Sequence, residues 1–139
     1  LPRVEKSSSD NKLQLTSNIY GILGDVYHQL GNDDKAFQAY DSCLVYTQND
    51  ASVLNNYAYY LSLKKKNLDK AEEMSRRSNE LEPNNSTYLD TYAWVLYQLK
   101  RYGEAKTIMD KAVEIMKKEN EEPSDDVLMH IKKINKKSK

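Results

Sequence analysis

The most constraining feature of this chain is a recurrence of small residues with a period of 34 to 35. Gly24, Ala58 and Ala93 lie 34 and 35 positions apart; Ala36, Ala71 and Ala105 lie 35 and 34 apart; Cys43, Ser78 and Ala112 repeat the 35 and 34. A fixed period of this length marks stacked supersecondary units, each unable to bury its apolar face alone, rather than a closed globule. Small side chains at fixed places in the unit let two helices approach closely.

Each unit shows apolar residues at helical spacing with a break in the middle, so each predicts two helices. In the first, Ile19, Tyr20, Leu23, Val26, Tyr27 and Leu30 form the opening helix, Gly31-Asn32-Asp33 the turn, and Ala36, Phe37, Tyr40, Cys43 and Leu44 the return helix. The second runs from Leu54, Tyr57, Ala58 and Leu61 through Lys64-Lys65-Lys66-Asn67 to Leu68, Ala71, Met74, Ser78 and Leu81, and Pro83 ends it. The third runs from Leu89, Tyr92, Ala93, Leu96 and Leu99 through Lys100-Arg101 to Tyr102, Ala105, Ile108, Met109, Ala112 and Val113. The predicted units are 17–50, 51–85 and 86–119. Residues 1–16 read as a polar segment, the remnant of an upstream unit, and 120–139 as a linker and capping helix. Ser124 caps that last helix, Asp125 and Asp126 suit its first turn, and Val127, Leu128, Ile131 and Ile134 form its apolar stripe over the last unit. The expected fold class is all-α.

Composition excludes several functions. Lys plus Arg number 21 and Asp plus Glu 21, so no long-range field draws nucleic acid or an anionic membrane. No run approaches the ~20 apolar residues of a membrane span. Eleven Tyr against one Phe and one Trp suggest half-buried helix contacts with hydroxyls reaching water. Cys43 is the sole cysteine and reads as a buried free thiol. His28 and His130 are far apart in sequence, and no metal-ligand spacing or phosphate-binding glycine loop occurs, so no cofactor, metal or catalysis is expected. The acid pairs Glu72-Glu73, Glu121-Glu122 and Asp125-Asp126 read as solvated faces or loops.

Tyr20-x-x-Leu23-Gly24-x-x-Tyr27 followed by Ala36-x-x-x-Tyr40 resembles the tetratricopeptide repeat family, with Gln48 where that family usually has proline. Leu54-x-x-Tyr57-Ala58-x-x-Leu61 and Leu89-x-x-Tyr92-Ala93-x-x-Leu96 keep the spacing with altered residue types, and the second unit has one extra loop residue. The resemblance covers Ser17 to Glu119. Residues 54–61 and 88–96 are, within the family, similar to bacterial repeat proteins, often exported or envelope-associated. That likeness implies a periplasmic or envelope location, with the cytoplasm as the alternative.

The resemblance implies a right-handed superhelix of three helical hairpins plus a capping helix, with opening helices lining a concave groove. Groove-facing positions then include Asp25, His28, Asn55, Asn56, Tyr59, Asp90, Trp94 and Tyr97. Asparagines suit a peptide backbone, and Tyr and Trp supply large contact surfaces. Each has a plainer reading: Trp94 stacking between opening helices, His28 an ordinary exposed helix residue, and Asn55 and Asn56 simply solvated. The family's carboxylate clamp is matched only at Asn56; Gly21, Asp25, Thr87 and Thr91 stand where its other groups belong. The expectation is a non-catalytic scaffold for a neutral or basic peptide or protein. The alternatives are a self-assembly module forming a homo-oligomer, or a regulatory or localising segment of a longer protein whose enzyme lies elsewhere.

Overall fold

The computed structural model describes residues 8–138. Those residues hold seven α-helices and no strand: α1 (Ser8–Gln29), α2 (Asp33–Tyr46), α3 (Ala51–Lys64), α4 (Leu68–Leu81), α5 (Ser86–Gln98), α6 (Tyr102–Lys118) and α7 (Asp125–Lys137). The all-α expectation and its turns hold. α1 starts at Ser8, so helix runs through positions 8–16, which the repeat period leaves out; positions 1–7 lie outside the described residues.

Helix boundaries follow from local chemistry. Asn32, Asn85 and Ser124 each accept a backbone N–H of the first turn, from Lys35, Tyr88 and Val127, at the starts of α2, α5 and α7. Such caps each stabilise by about 1 kcal/mol. Four helices end in the same way. The N–H of Asn32 reaches Tyr27 C=O while Gly31 reaches His28, and the same pair of bonds closes α3 (Lys66 to Leu61, Lys65 to Ser62), α5 (Arg101 to Leu96, Lys100 to Tyr97) and α6 (Glu121 to Met116, Asn120 to Lys117). This geometry requires a left-handed residue, and Gly31, Lys65, Lys100 and Asn120 all have positive φ. Only the first unit uses glycine there.

The chain divides into two compact units, one ending at Val53 and the other starting at Leu54. In the first, α1 packs on α2 through the small residues of the repeat: a Cβ on Gly24 would overlap the ring of fully buried Tyr40. Ser17 donates its hydroxyl to Cys43 C=O at 3.2 Å, and burial pushes the Cys43 thiol above its ordinary pKa. Gly21 is buried too; a Cβ there would sit 3.3 Å from Val53 and 3.7 Å from Cys43 Sγ. The second unit has its core at Leu89, Ala93, Leu96, Ala105, Met109, Ala112 and Met116, and Ile134 of α7 joins it with no exposed surface. Ala93, Ala105 and Ala112 are the periodic small residues, each fully buried, so the period marks close helix approach in both units.

Candidate partner-binding site

Asp25 and His28 belong to the first unit and both are engaged within it. Asp25 accepts the hydroxyl of Tyr40 at 2.5 Å, and His28 Nδ1 lies 2.9 Å from Asp33 Oδ1 at the start of α2. His28 is therefore half-buried and paired, not an ordinary exposed helix residue.

The remaining six residues belong to the second unit, and the structure separates them into two sets. Asn55, Asn56, Tyr59 and Asp90 line one cavity of about 330 Å³ together with Ser86, Thr87 and Thr91. Trp94 and Tyr97 are not among its walls. Trp94 is 5% exposed, and its ring stacks on Tyr97 at 4.8 Å and on His130 at 4.2 Å. The expectation of an exposed aromatic anchor fails at Trp94 because α7 lays His130 over it. The plainer reading named the wrong neighbour: the cover is the capping helix.

His130 is the residue the sequence reading missed. It is fully buried, its Nδ1 is 2.9 Å from Asp90 Oδ1, and its ring meets that of Tyr59 edge-on at 5.9 Å. Asp90, 7% exposed, is thereby committed to an internal bond. The available signal was register: His130 stands between the apolar stripe residues Val127 and Ile134 of a helix read as covering the last unit.

The far wall of the cavity departs from expectation as well. Glu121, Glu122, Pro123, Ser124, Asp126 and Val127, from the linker and the first turn of α7, line it too, as does Met116 of α6. Glu121 accepts the Ser86 hydroxyl at 2.8 Å. Glu121, Glu122 and Asp126, three members of the acid pairs read as plain solvated positions, thus contribute to the cavity wall while remaining exposed. No Lys or Arg lines it. Asn55 is 5% exposed, so solvent does not hold it; its Nδ2 lies 3.4 Å from Asn56 Oδ1 while its own Oδ1 is buried without a hydrogen-bond partner. The Tyr59 hydroxyl is pushed up to about 12, first by burial and then by the negative charges of Asp126 and Asp90. No group of three or more His, Cys, Asp or Glu among the described residues is placed to hold a metal ion.

Helices paired through small residues at a period of 34 to 35 define a helical-repeat protein, and the comparisons give the family. The tetratricopeptide repeat profile matches residues 17–49 and 87–136, more than half of the chain. The chain belongs to the tetratricopeptide repeat family. Solved structures similar to it include the first TPR domain of Spaghetti (RPAP3) bound to the HSP90 peptide SRMEEVD, at TM-score 0.76 and 16% identity over 88% of this chain and 93% of that one. The TPR2B domain of yeast Sti1, in a pHsp70 complex, gives 0.77 and 18% over 88% and 98%. The Sgt2 TPR domain from Aspergillus fumigatus gives 0.70 and 20% over 99% and 84%. These likenesses carry the fold, the all-α hairpins expected from the repeat period. No curated protein matches.

Proposed function

We propose that this chain is a non-catalytic interaction scaffold that holds a peptide segment of a partner protein against Asn55, Asn56 and Tyr59. The observation that carries this reading is the cavity beside those residues, polar on the α3 and α5 side and acidic on the other. Two of the similar domains were solved with a bound ligand, an HSP90 peptide in one and pHsp70 in the other. The cavity here has no basic group to receive an acidic peptide end like that of SRMEEVD, and its carboxylates favour a neutral or basic segment. Catalysis has no support, since Asp90 and His130 are buried against each other. A peptide array probed with the wild type and with Asn56→Ala tests the reading: retention of every wild-type spot by the variant rejects it.

Self-association is the second reading, favoured by an exposed apolar stripe on α1, where Leu15, Ile19, Ile22 and Val26 are 61, 48, 61 and 43% exposed, continued by Leu30 just past the helix end at 74%. The likeness of 54–61 and 88–96 to exported or envelope-associated bacterial repeats is a separate proposal, as is membership in a longer regulatory protein. The gene sequence on either side of the region that encodes this chain tests both.

A further inference from the structure

We infer that the acid-walled cavity of the second unit takes one cationic side chain, arginine or lysine, of a bound peptide. This rests on the peptide-binding reading above and adds the chemistry of its anchoring subsite. The argument begins with Asn55, whose buried Oδ1 has no hydrogen-bond partner although the residue forms part of the cavity wall. Buried acceptors are almost always satisfied, so an orphaned one beside a cavity points to a donor that the isolated chain does not supply. Glu122 and Asp126 at the rim are exposed carboxylates, while Glu121 and Asp90 already accept bonds from Ser86 and His130. The required ligand therefore donates hydrogen bonds and carries positive charge.

The rest of the wall fits the stem of such a side chain. Met116, Pro123 and Val127 in the lining offer apolar contact to methylenes, and Tyr59 lines the same cavity. The field that disfavours a Tyr59 phenolate is the one that favours a cation. The N-terminus of α7 opposes it with about half a positive charge, but Asp125 and Asp126 in that same turn exceed this. A bare metal ion is disfavoured, since no three-ligand cluster exists among the described residues.

The test titrates N-acetyl-arginine methylamide, its lysine analogue and its neutral citrulline analogue into the ¹⁵N-labelled chain, following the backbone amides of Asn55, Thr87 and Asp126. The arginine or lysine probe is expected to bind roughly fivefold more tightly than citrulline, as two partly screened ion pairs would give. Glu122→Gln with Asp126→Asn is expected to remove that advantage, and so is Glu122→Lys alone, an exposed loop change that leaves the fold intact. Equal binding of all three probes, or a full cation preference in the variants, overturns the inference. If the probes move none of these amides while peptide capture still depends on Asn56, the cation subsite falls and the groove reading stands. If capture is also indifferent to Asn56, both fall.

Discussion

His130 on α7 and Asp90 on α5 form a buried pair, Nδ1 to Oδ1 at 2.9 Å, with the His130 ring stacked on that of Trp94. The pair ties the terminal helix to α5 at Asp90, a position the family resemblance implies to be groove-facing. Removing the imidazole leaves a carboxylate with almost no access to water and a void beside Trp94. His130→Ala is expected to cost about 3 kcal/mol in urea unfolding, since an unpaired buried polar group and a cavity add. His130→Phe refills the space without restoring the bond and falls between the two. A loss below about 0.5 kcal/mol for Ala, the size of an ordinary surface change, would show that the pair does not hold α7.

Trp94 is the sole tryptophan, which makes this docking directly visible. Its near-complete burial predicts emission at short wavelength in the intact chain. Ending the chain at Glu122 removes α7 and bares the ring, so the emission should move to the red while far-ultraviolet ellipticity falls only by the missing helix. Unchanged emission after this truncation would contradict the placement of α7 over Trp94.

The repeat period made the hairpins readable because backbone approach at Gly24, Ala93, Ala105 and Ala112 imposes a size limit that shows in one chain as spacing. Turns at Gly31 and Lys64 to Asn67 were readable from their chemistry. The cavity was half legible. Asn55, Asn56 and Tyr59 lie within about one turn of α3 and Asp90 stands one 35-residue period after Asn55, but the carboxylates opposite come from a linker that no period governs. Burial of Trp94 was hidden for a related reason: which face a capping helix covers depends on a tertiary contact, and one histidine in its stripe decides it.

Close approach at Gly24 predicts an asymmetry between glycines. Gly24→Ala drives a methyl into the ring of Tyr40, which has no exposed surface and nowhere to turn. The expected loss is about 3 kcal/mol, at the upper end for overpacking. Gly103→Ala meets nothing within 4 Å near the start of α6 and should stabilise by about 0.5 kcal/mol through helix propensity. Thermal unfolding of the two variants, with opposite signs expected, separates them. Lys100→Gly, at a left-handed position, should add about 1 kcal/mol by relieving the cost of a side chain there.

Tyr59 supplies a pH dependence. Its folded pKa is raised to about 12 from 10 by burial and by Asp126 and Asp90. The folded state thus holds the proton more tightly than the unfolded chain. Its contribution to stability is fully present below pH 10 and is lost as pH rises from there toward 12. Tyr59→Phe lacks this proton, so the decline in stability across that interval should be shallower than in the wild type, by chemical denaturation at matched ionic strength. Parallel declines would mean the hydroxyl does not feel the two carboxylates.

The stripe on α1 yields the last prediction. Leu15, Ile19, Ile22 and Val26 recur at spacings of four, three and four, with the β-branched residues Ile19 and Val26 at one coiled-coil position and Leu15 and Ile22 at the other. That spacing makes an apolar seam of coiled-coil type, and a second copy of α1 offers the same stripe to pair with it. Side chains near half exposure or above contribute only part of their transfer free energy, so the dimer should be weak, with Kd on the order of tens of micromolar. Sedimentation equilibrium at a few hundred micromolar should find mostly dimer, and Ile22→Asp should return it to monomer. Because Ile22 is already exposed, that variant should unfold within about 0.5 kcal/mol of the wild-type monomer, which separates lost association from lost folding. A wild type that stays monomeric at that concentration would leave the stripe without this role.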